Sequence, residues 1–221
     1  MSVFEIIGLC SKAFVLAPVA IGVAHYATLK KPYKVFLLFL MLYVVFDVIT
    51  SYTSLNGIHN LPLYHLMTVV EFVFYSYMYH VIAKNTSYKK WILFIIFLFI
   101  IFAVLNTIYL ENIYTDYNSN TRVVASLILV SYAISYFYRM LKELTVESVG
   151  ENDVFWFNTA VLLYFAGTFF LSLFLKVFFD EAKKTEGFQE FLYQIYYLQY
   201  FLYIILNILL AKAIWVSQPS K

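Results

Sequence analysis

The stretch WILFIIFLFIIFAVLNTIYL, residues 91–110, contains no Asp, Glu, Lys, Arg or His. An α-helix rises about 1.5 Å per residue, so the run is about as long as the hydrocarbon layer of a bilayer is thick, about 30 Å. Lys89 and Lys90 stand just before it and Glu111 just after. A helix on the surface of a soluble domain keeps one polar face; this one is apolar all round and needs lipid or protein on every side. The rest of the chain has the same character. Of its 221 residues, 63% are hydrophobic and 13% charged, against roughly 45–50% apolar and about 25% charged in soluble domains. A 25.9 kDa globule with so little polar surface could not cover itself in water.

Six further apolar runs flank the first, at 3–28, 34–54, 61–82, 121–141, 154–178 and 189–213. The expected fold is therefore all-α, a polytopic bundle of seven transmembrane helices forming one integral-membrane domain over 1–221. The breaks carry turn and cap chemistry. Lys30-Lys31-Pro32 ends the first run, Asn56-Gly57 is a turn dipeptide, and Asn60 is placed to cap a third helix with Pro62 near its start. Lys84–Lys90, Glu111–Asn120, Lys142–Asp153 and Asp180–Gly187 are the other breaks, none long enough for a second domain. Ala17-Pro18-Val19-Ala20 resembles a signal cleavage site, but Glu5 precedes the apolar run and Lys12 interrupts it, so the first helix is expected to be retained.

Lys and Arg are distributed unevenly. The first, third and fifth connections and the tail hold Lys30, Lys31, Lys34, Lys84, Lys89, Lys90, Arg139, Lys142, Lys212 and Lys221; the other side holds Arg122, Lys176, Lys183 and Lys184. The positive-inside rule then puts the N-terminus outside and the C-terminus in the cytoplasm of an inner (plasma) membrane. Seven helices in this orientation suit a three-plus-one-plus-three parallel repeat. Faint internal matches accompany it: Leu42-Tyr43 and Ser51 with Leu163-Tyr164 and Ser172, and Glu71, Tyr75 and Ala83-Lys84 with Gln199, Tyr203 and Ala211-Lys212.

Ionisable groups at mid-membrane cost about 2.5–3.5 kcal/mol each and persist where protein or water receives them. Lys12, Asp47 and Glu71 fall in one layer of the outer half, with His65, Gln194 and Gln199 at similar depth. These six are the candidate ligand-binding residues. Lys12 with Asp47 could equally be an ion pair locking the first two helices. One cation against two carboxylates leaves either a proton on Glu71 or a bound cation. In the third run Tyr64, Thr68, Glu71, Tyr75 and Met78 share one face, which reads as a cavity wall or as plain bundle core. Ala13, Ala17, Ala20 and Ala24 form a small-residue stripe suited to close helix packing. Trp91, Trp156 and Trp215 lie near cytoplasmic boundaries, as an interfacial belt would.

Several functions find no support. Net charge +2 argues against nucleic-acid binding, and Cys10, the single cysteine, cannot form an internal disulfide. His25 and His80 share a layer with Asn158 and Asn207 but form no HxxxH pair, so the zinc site of ceramidase-like and adiponectin-receptor-like hydrolases is not expected. Phosphate-loop, GxSxG and HExxH motifs are missing, no nucleophile stands beside a base, and no cofactor is expected. Lys212 lies at the wrong end of the last helix for a retinal lysine. Size and topology resemble the SWEET and PnuC transporters, although the proline-glutamine motif of helix 1 is missing and Gln218-Pro219 is in the tail. The segment Asn60-Leu61-Pro62-Leu63-Tyr64-His65, followed by Glu71-Phe72, is similar to a pattern in small uncharacterised seven-helix proteins of Bacteroidota. That resemblance implies a bacterial inner membrane and no particular activity.

Two functions remain: a protein that binds or passes a small polar solute, ion or proton, and a sensor or assembly subunit; an enzyme ranks behind both. The expected partners are the lipid bilayer, a small polar solute or ion, a cytoplasmic signalling protein on the sensor reading, and a second copy in a homo-oligomer. The charge count makes a direct prediction. A reporter fused after Lys221 should be cytoplasmic and a cysteine placed at Ser87 should react only from that side; the reverse labelling would invert the topology.

Overall fold

The structure, a computed structural model, describes residues 3–143, 148–182 and 188–218. Lys183, Lys184 and Lys221 of the charge count lie outside the described residues, as does the side chain of Lys176. The chain forms α1 (Val3–Ala13), α2 (Leu16–Ala24), α3 (Lys31–Leu55), α4 (Leu61–Ile82), α5 (Thr86–Tyr109), α6 (Ser119–Glu143), α7 (Asp153–Ala182) and α8 (Phe188–Val216). One 3-10 turn, Val149–Glu151, precedes α7, and no strand occurs among the described residues.

The first apolar run is not one helix. Pro18 has no N–H to donate to the Phe14 carbonyl, and its ring crowds the preceding turn. The backbone tightens there instead, with Phe14 N donating to Ser11 O (3.2 Å), Val15 N to Lys12 O (3.3 Å) and Ala17 N to Phe14 O (3.1 Å). Pro32, expected to end that run, sits in the first turn of α3. Gly57 takes φ +67° after α3, as the Asn-Gly turn requires. Asn60 does not cap α4; its amide donates to Thr50 O (3.3 Å) and Thr53 Oγ1 (3.2 Å), tying the turn back to α3. Asn85 does cap α5, accepting from Ser87 N and Tyr88 N, and so starts that helix several residues before the apolar run begins.

Packing order follows chain order. The broken first helix packs on α3 and α8, α3 on α4, α4 on α6, α6 on α7, and α7 on α8. The result is a closed ring of six spans, with α5 applied from outside against α4 and α6. This leaves α5 outside the ring, between two sequential triplets of spans. Among the described residues, with α1 and α2 counted as one broken span, six helical segments are long and apolar enough to cross a membrane, and the chain is a multi-pass integral membrane protein. α4 is the helix outside that set. It carries His65, Glu71 and four tyrosines and buries nine of its 22 residues, whereas α5 buries four of 24. A helix shielded by neighbours can be polar, and one facing lipid cannot.

Below the middle of the ring, aromatic rings interlock. Phe36 meets Tyr75 at 5.3 Å and Phe157 at 5.4 Å, Tyr75 meets Phe165 at 5.2 Å, and Phe39 stacks on Phe74 at 5.0 Å. The lysine-rich end is fastened by Lys30–Asp153 (2.9 Å), in which Asp153 is buried, and by Lys84–Glu143 (3.2 Å), an exposed pair of a kind worth roughly 0.2–1 kcal/mol. The alanine stripe of the first run is exposed and does not mediate close packing. Close approach occurs at glycines instead: a Cβ on Gly22 would lie 2.6 Å from Leu37 Cδ1, and one on Gly167 2.6 Å from Leu202 Cδ1.

Gly167→Val should therefore destabilise the purified protein by about 1–3 kcal/mol through overpacking. Gly150→Val, with nothing within 4 Å of the new Cβ, should leave the thermal midpoint unchanged. Equal effects would place the α7–α8 contact elsewhere.

Candidate functional site

The ring encloses a cavity of about 350 Å³ at the end opposite the paired lysines. Every ring helix except α2 contributes to its wall, and α5 contributes nothing. It runs from the corner formed by Ser54, Asn60 and Leu61 down to Tyr43, Glu71 and Tyr203, where a void of about 10 Å³ continues toward Asn207. The interlocked rings Phe36, Phe157 and Phe165 lie beyond.

The broken first helix places Lys12 in the last turn of α1. Helix carbonyl dipoles point at that position and favour a cation, so the break supplies in mid-membrane what an intact helix would not. The Lys12 ammonium donates to Thr50 Oγ1 (3.2 Å) and Ser51 Oγ (3.0 Å) of α3. It is not in ion-pair contact with Asp47, although the two charges act on each other. Asp47, 9% exposed, accepts from Tyr203 Oη (3.1 Å). The expected locking pair is therefore two separate anchor points, one turn apart along α3.

Glu71 lies at the middle of α4, 5% exposed, and faces the cavity. Its carboxylate makes no hydrogen bond among the described residues. The cation acting on it is Arg122, which the sequence reading counted as a loop charge. Arg122 sits in the first turns of α6 and donates from Nη2 to Tyr164 Oη (3.0 Å). Among the described residues the wall thus holds two cations, Lys12 and Arg122, and two carboxylates, Asp47 and Glu71. The surplus negative charge inferred from sequence disappears.

A cation near a helix N-terminus opposes the helix dipole, so something else must hold α6 in place. Glu111 does this. Fully buried, it accepts from Ser119 N (3.2 Å), Asn120 N (3.0 Å) and the Ser119 hydroxyl, and its other oxygen accepts from Asn106 Nδ2 (2.8 Å). A carboxylate at that end caps the orphan amides and matches the dipole. The segment before α6 folds over α4: Asn118 Nδ2 donates to Thr68 Oγ1 (2.8 Å) and Tyr117 joins the cavity wall.

Four of the six candidates, Lys12, Asp47, Glu71 and Gln199, line this one cavity. Gln199 Oε1 is buried without a partner. His65 and Gln194 are not in the wall. His65 is buried with Nε2 3.1 Å from Asp116 O, so it bonds the connecting segment, and Gln194 is exposed. Of the helix-face residues, Tyr64 and Thr68 line the cavity, while Tyr75 and Met78 are buried in the core. His25 packs edge-on against Trp215, and His80 Nδ1 lies 3.1 Å from Lys89 O. Sequence reasoning missed Arg122 and the tyrosines Tyr43, Tyr164 and Tyr203. The available signal was an arginine just inside an apolar run. No family model, curated protein or solved structure matches the chain.

Arg122→Gln and Tyr164→Phe break the same charged hydrogen bond, so a double-mutant cycle on thermal stability should show coupling of about 1 kcal/mol. Lys12→Met with Tyr164→Phe should be additive. Coupling in the second pair but not the first would contradict this geometry.

Proposed function

We propose that this chain binds a small polar solute or ion in the cavity between α1, α3, α4, α6, α7 and α8. The observation carrying the reading is Glu71, a residue 5% exposed whose carboxylate opens onto the cavity and has no hydrogen-bond partner among the described residues. Buried charges in native structures are paired or hydrogen-bonded, and an unmatched one lining a cavity is an expensive arrangement for packing alone. Gln199 Oε1 adds a second unmatched acceptor. The cavity volume lies at the low end of the range for small-molecule sites, roughly 300–1,000 Å³.

On the positive-inside reading the mouth faces outward from a bacterial inner membrane. The aromatic floor between it and the lysine-rich end supports access from one side only. Permeation would then require the rings at Phe36, Phe157 and Phe165 to part. Binding without permeation would make the chain a sensor that passes its signal to a cytoplasmic partner.

The test is a thermal-stability screen of polar metabolites and ions against the wild type and Glu71→Gln. At a hundredfold excess over its Kd, a ligand should raise the midpoint of the wild type by about 5–10 °C. Glu71→Gln should fold and lose that shift. A screen in which nothing stabilises the wild type, or in which Glu71→Gln responds equally, would contradict the proposal. Uptake of the same compound into reconstituted vesicles identifies permeation, and binding without uptake identifies the sensor.

A further inference from the structure

The charges around the cavity define what kind of solute would complete it. Glu71 and Arg122 act on each other across the space but make no ion pair. Among the described residues, Arg122 uses one of its five N–H donors, toward Tyr164. Glu71 accepts no hydrogen bond from any described residue. Unsatisfied donors therefore stand at the α6 side of the cavity, and unsatisfied acceptors at the α4 side.

Resting on the solute-binding reading above, we infer that the cavity takes a small zwitterion, an ammonium joined by a short linker to an anionic group, with the ammonium at Glu71 and the anion at Arg122. The charge balance favours this class. Among the described residues Lys12 and Arg122 are offset by Asp47 and Glu71, so against these four a bound cation or anion alone would leave net charge in a low-dielectric interior, whereas a zwitterion satisfies both ends and keeps them balanced. The surrounding groups suit the two ends differently. Tyr43 and Tyr203, stacked on each other at 5.9 Å, border the cavity beside Glu71 as aromatic neighbours for an ammonium. The planar guanidinium of Arg122 suits a carboxylate or phosphate. Such chemistry has two sources, a free zwitterion or the headgroup of a zwitterionic lipid.

Calorimetric titration of the full chain in phosphatidylglycerol nanodiscs separates these possibilities. The probes are the ω-amino acids from glycine to 5-aminopentanoate and glycerophosphoethanolamine, each beside an alkylammonium and an anion of matched size. At least one zwitterion should bind saturably and at least tenfold more tightly than both of its single-charge analogues. Glu71→Gln and Arg122→Gln should each weaken it at least tenfold. Thermal midpoints without probe show whether the variants fold; if either does not, the wild-type comparison alone decides. Weakening of at least tenfold when phosphatidylethanolamine is added to the discs identifies the lipid headgroup as the source, and unchanged affinity identifies a free solute. A single-charge analogue that binds as well as the zwitterion overturns the class and leaves the solute-binding reading intact. Absence of binding by every probe overturns the class too, while the metabolite screen decides the broader reading separately.

Discussion

Lipid offers a charged or hydrogen-bonding side chain no partner, so each such group in mid-membrane must be received by protein or by water. This chain puts Lys12, Asp47, Glu71 and Arg122 in its membrane-spanning helices, and the architecture follows from that commitment. The ring helix that falls outside the membrane-crossing set, α4, is enclosed by α3, α5 and α6, while the most apolar span, α5, is pushed to the outside. The six remaining spans close around the four charges. Had α4 faced lipid, Glu71 and His65 would have been stranded without partners.

Two local devices make the enclosure workable. Pro18 breaks the first helix at Phe14 and Val15, just beyond Lys12, so a lysine that would oppose lipid sits instead at a helix C-terminus, where carbonyl dipoles support it. Glu111 works at the other end of a helix. Its carboxylate collects amide donors of α6 and the Asn106 side chain, and the order it imposes aims Arg122 inward rather than into the headgroups. The tyrosines complete both arrangements: Tyr203 holds Asp47 and Tyr164 holds Arg122. Each charge except Glu71 has a neutral hydroxyl for a partner, which leaves Glu71 as the group with capacity to spare.

The spans were legible in the sequence because membrane thickness fixes helix length, and Leu61–Ile82 begins and ends where its Pro62 and its polar flanks say. Depth was legible for the same reason, and it brought Lys12, Asp47, Glu71 and Gln199 to one level. Azimuth was not. His65 precedes Glu71 by six residues and Gln194 precedes Gln199 by five, spacings that turn a side chain well away from its reference on a 3.6-residue helix. His65 accordingly meets the 110–118 connection, and Gln194 is exposed. The presumed Lys12–Asp47 contact failed similarly, since equal depth does not bring a flexible lysine to one acceptor when Thr50 and Ser51 stand one turn further on. Arg122 was misread because it sits at the lip of an apolar run, where a loop charge and an inward-pointing helix residue look alike until Glu111 is seen capping the helix.

The central claim is that one polar cavity, built on Glu71, opens to a single end of a ring of helices. Cysteine accessibility tests it most directly, in a Cys10→Ser background with single cysteines at Ser54, Thr68 and Asn207 and a charged thiol reagent applied from each side of sealed vesicles. The account predicts modification of Ser54→Cys and Thr68→Cys only from the side bearing the 56–60 connection, and none at Asn207→Cys from either side. Modification of Thr68→Cys from the lysine-rich side, or its complete protection while Ser54→Cys reacts, would contradict it.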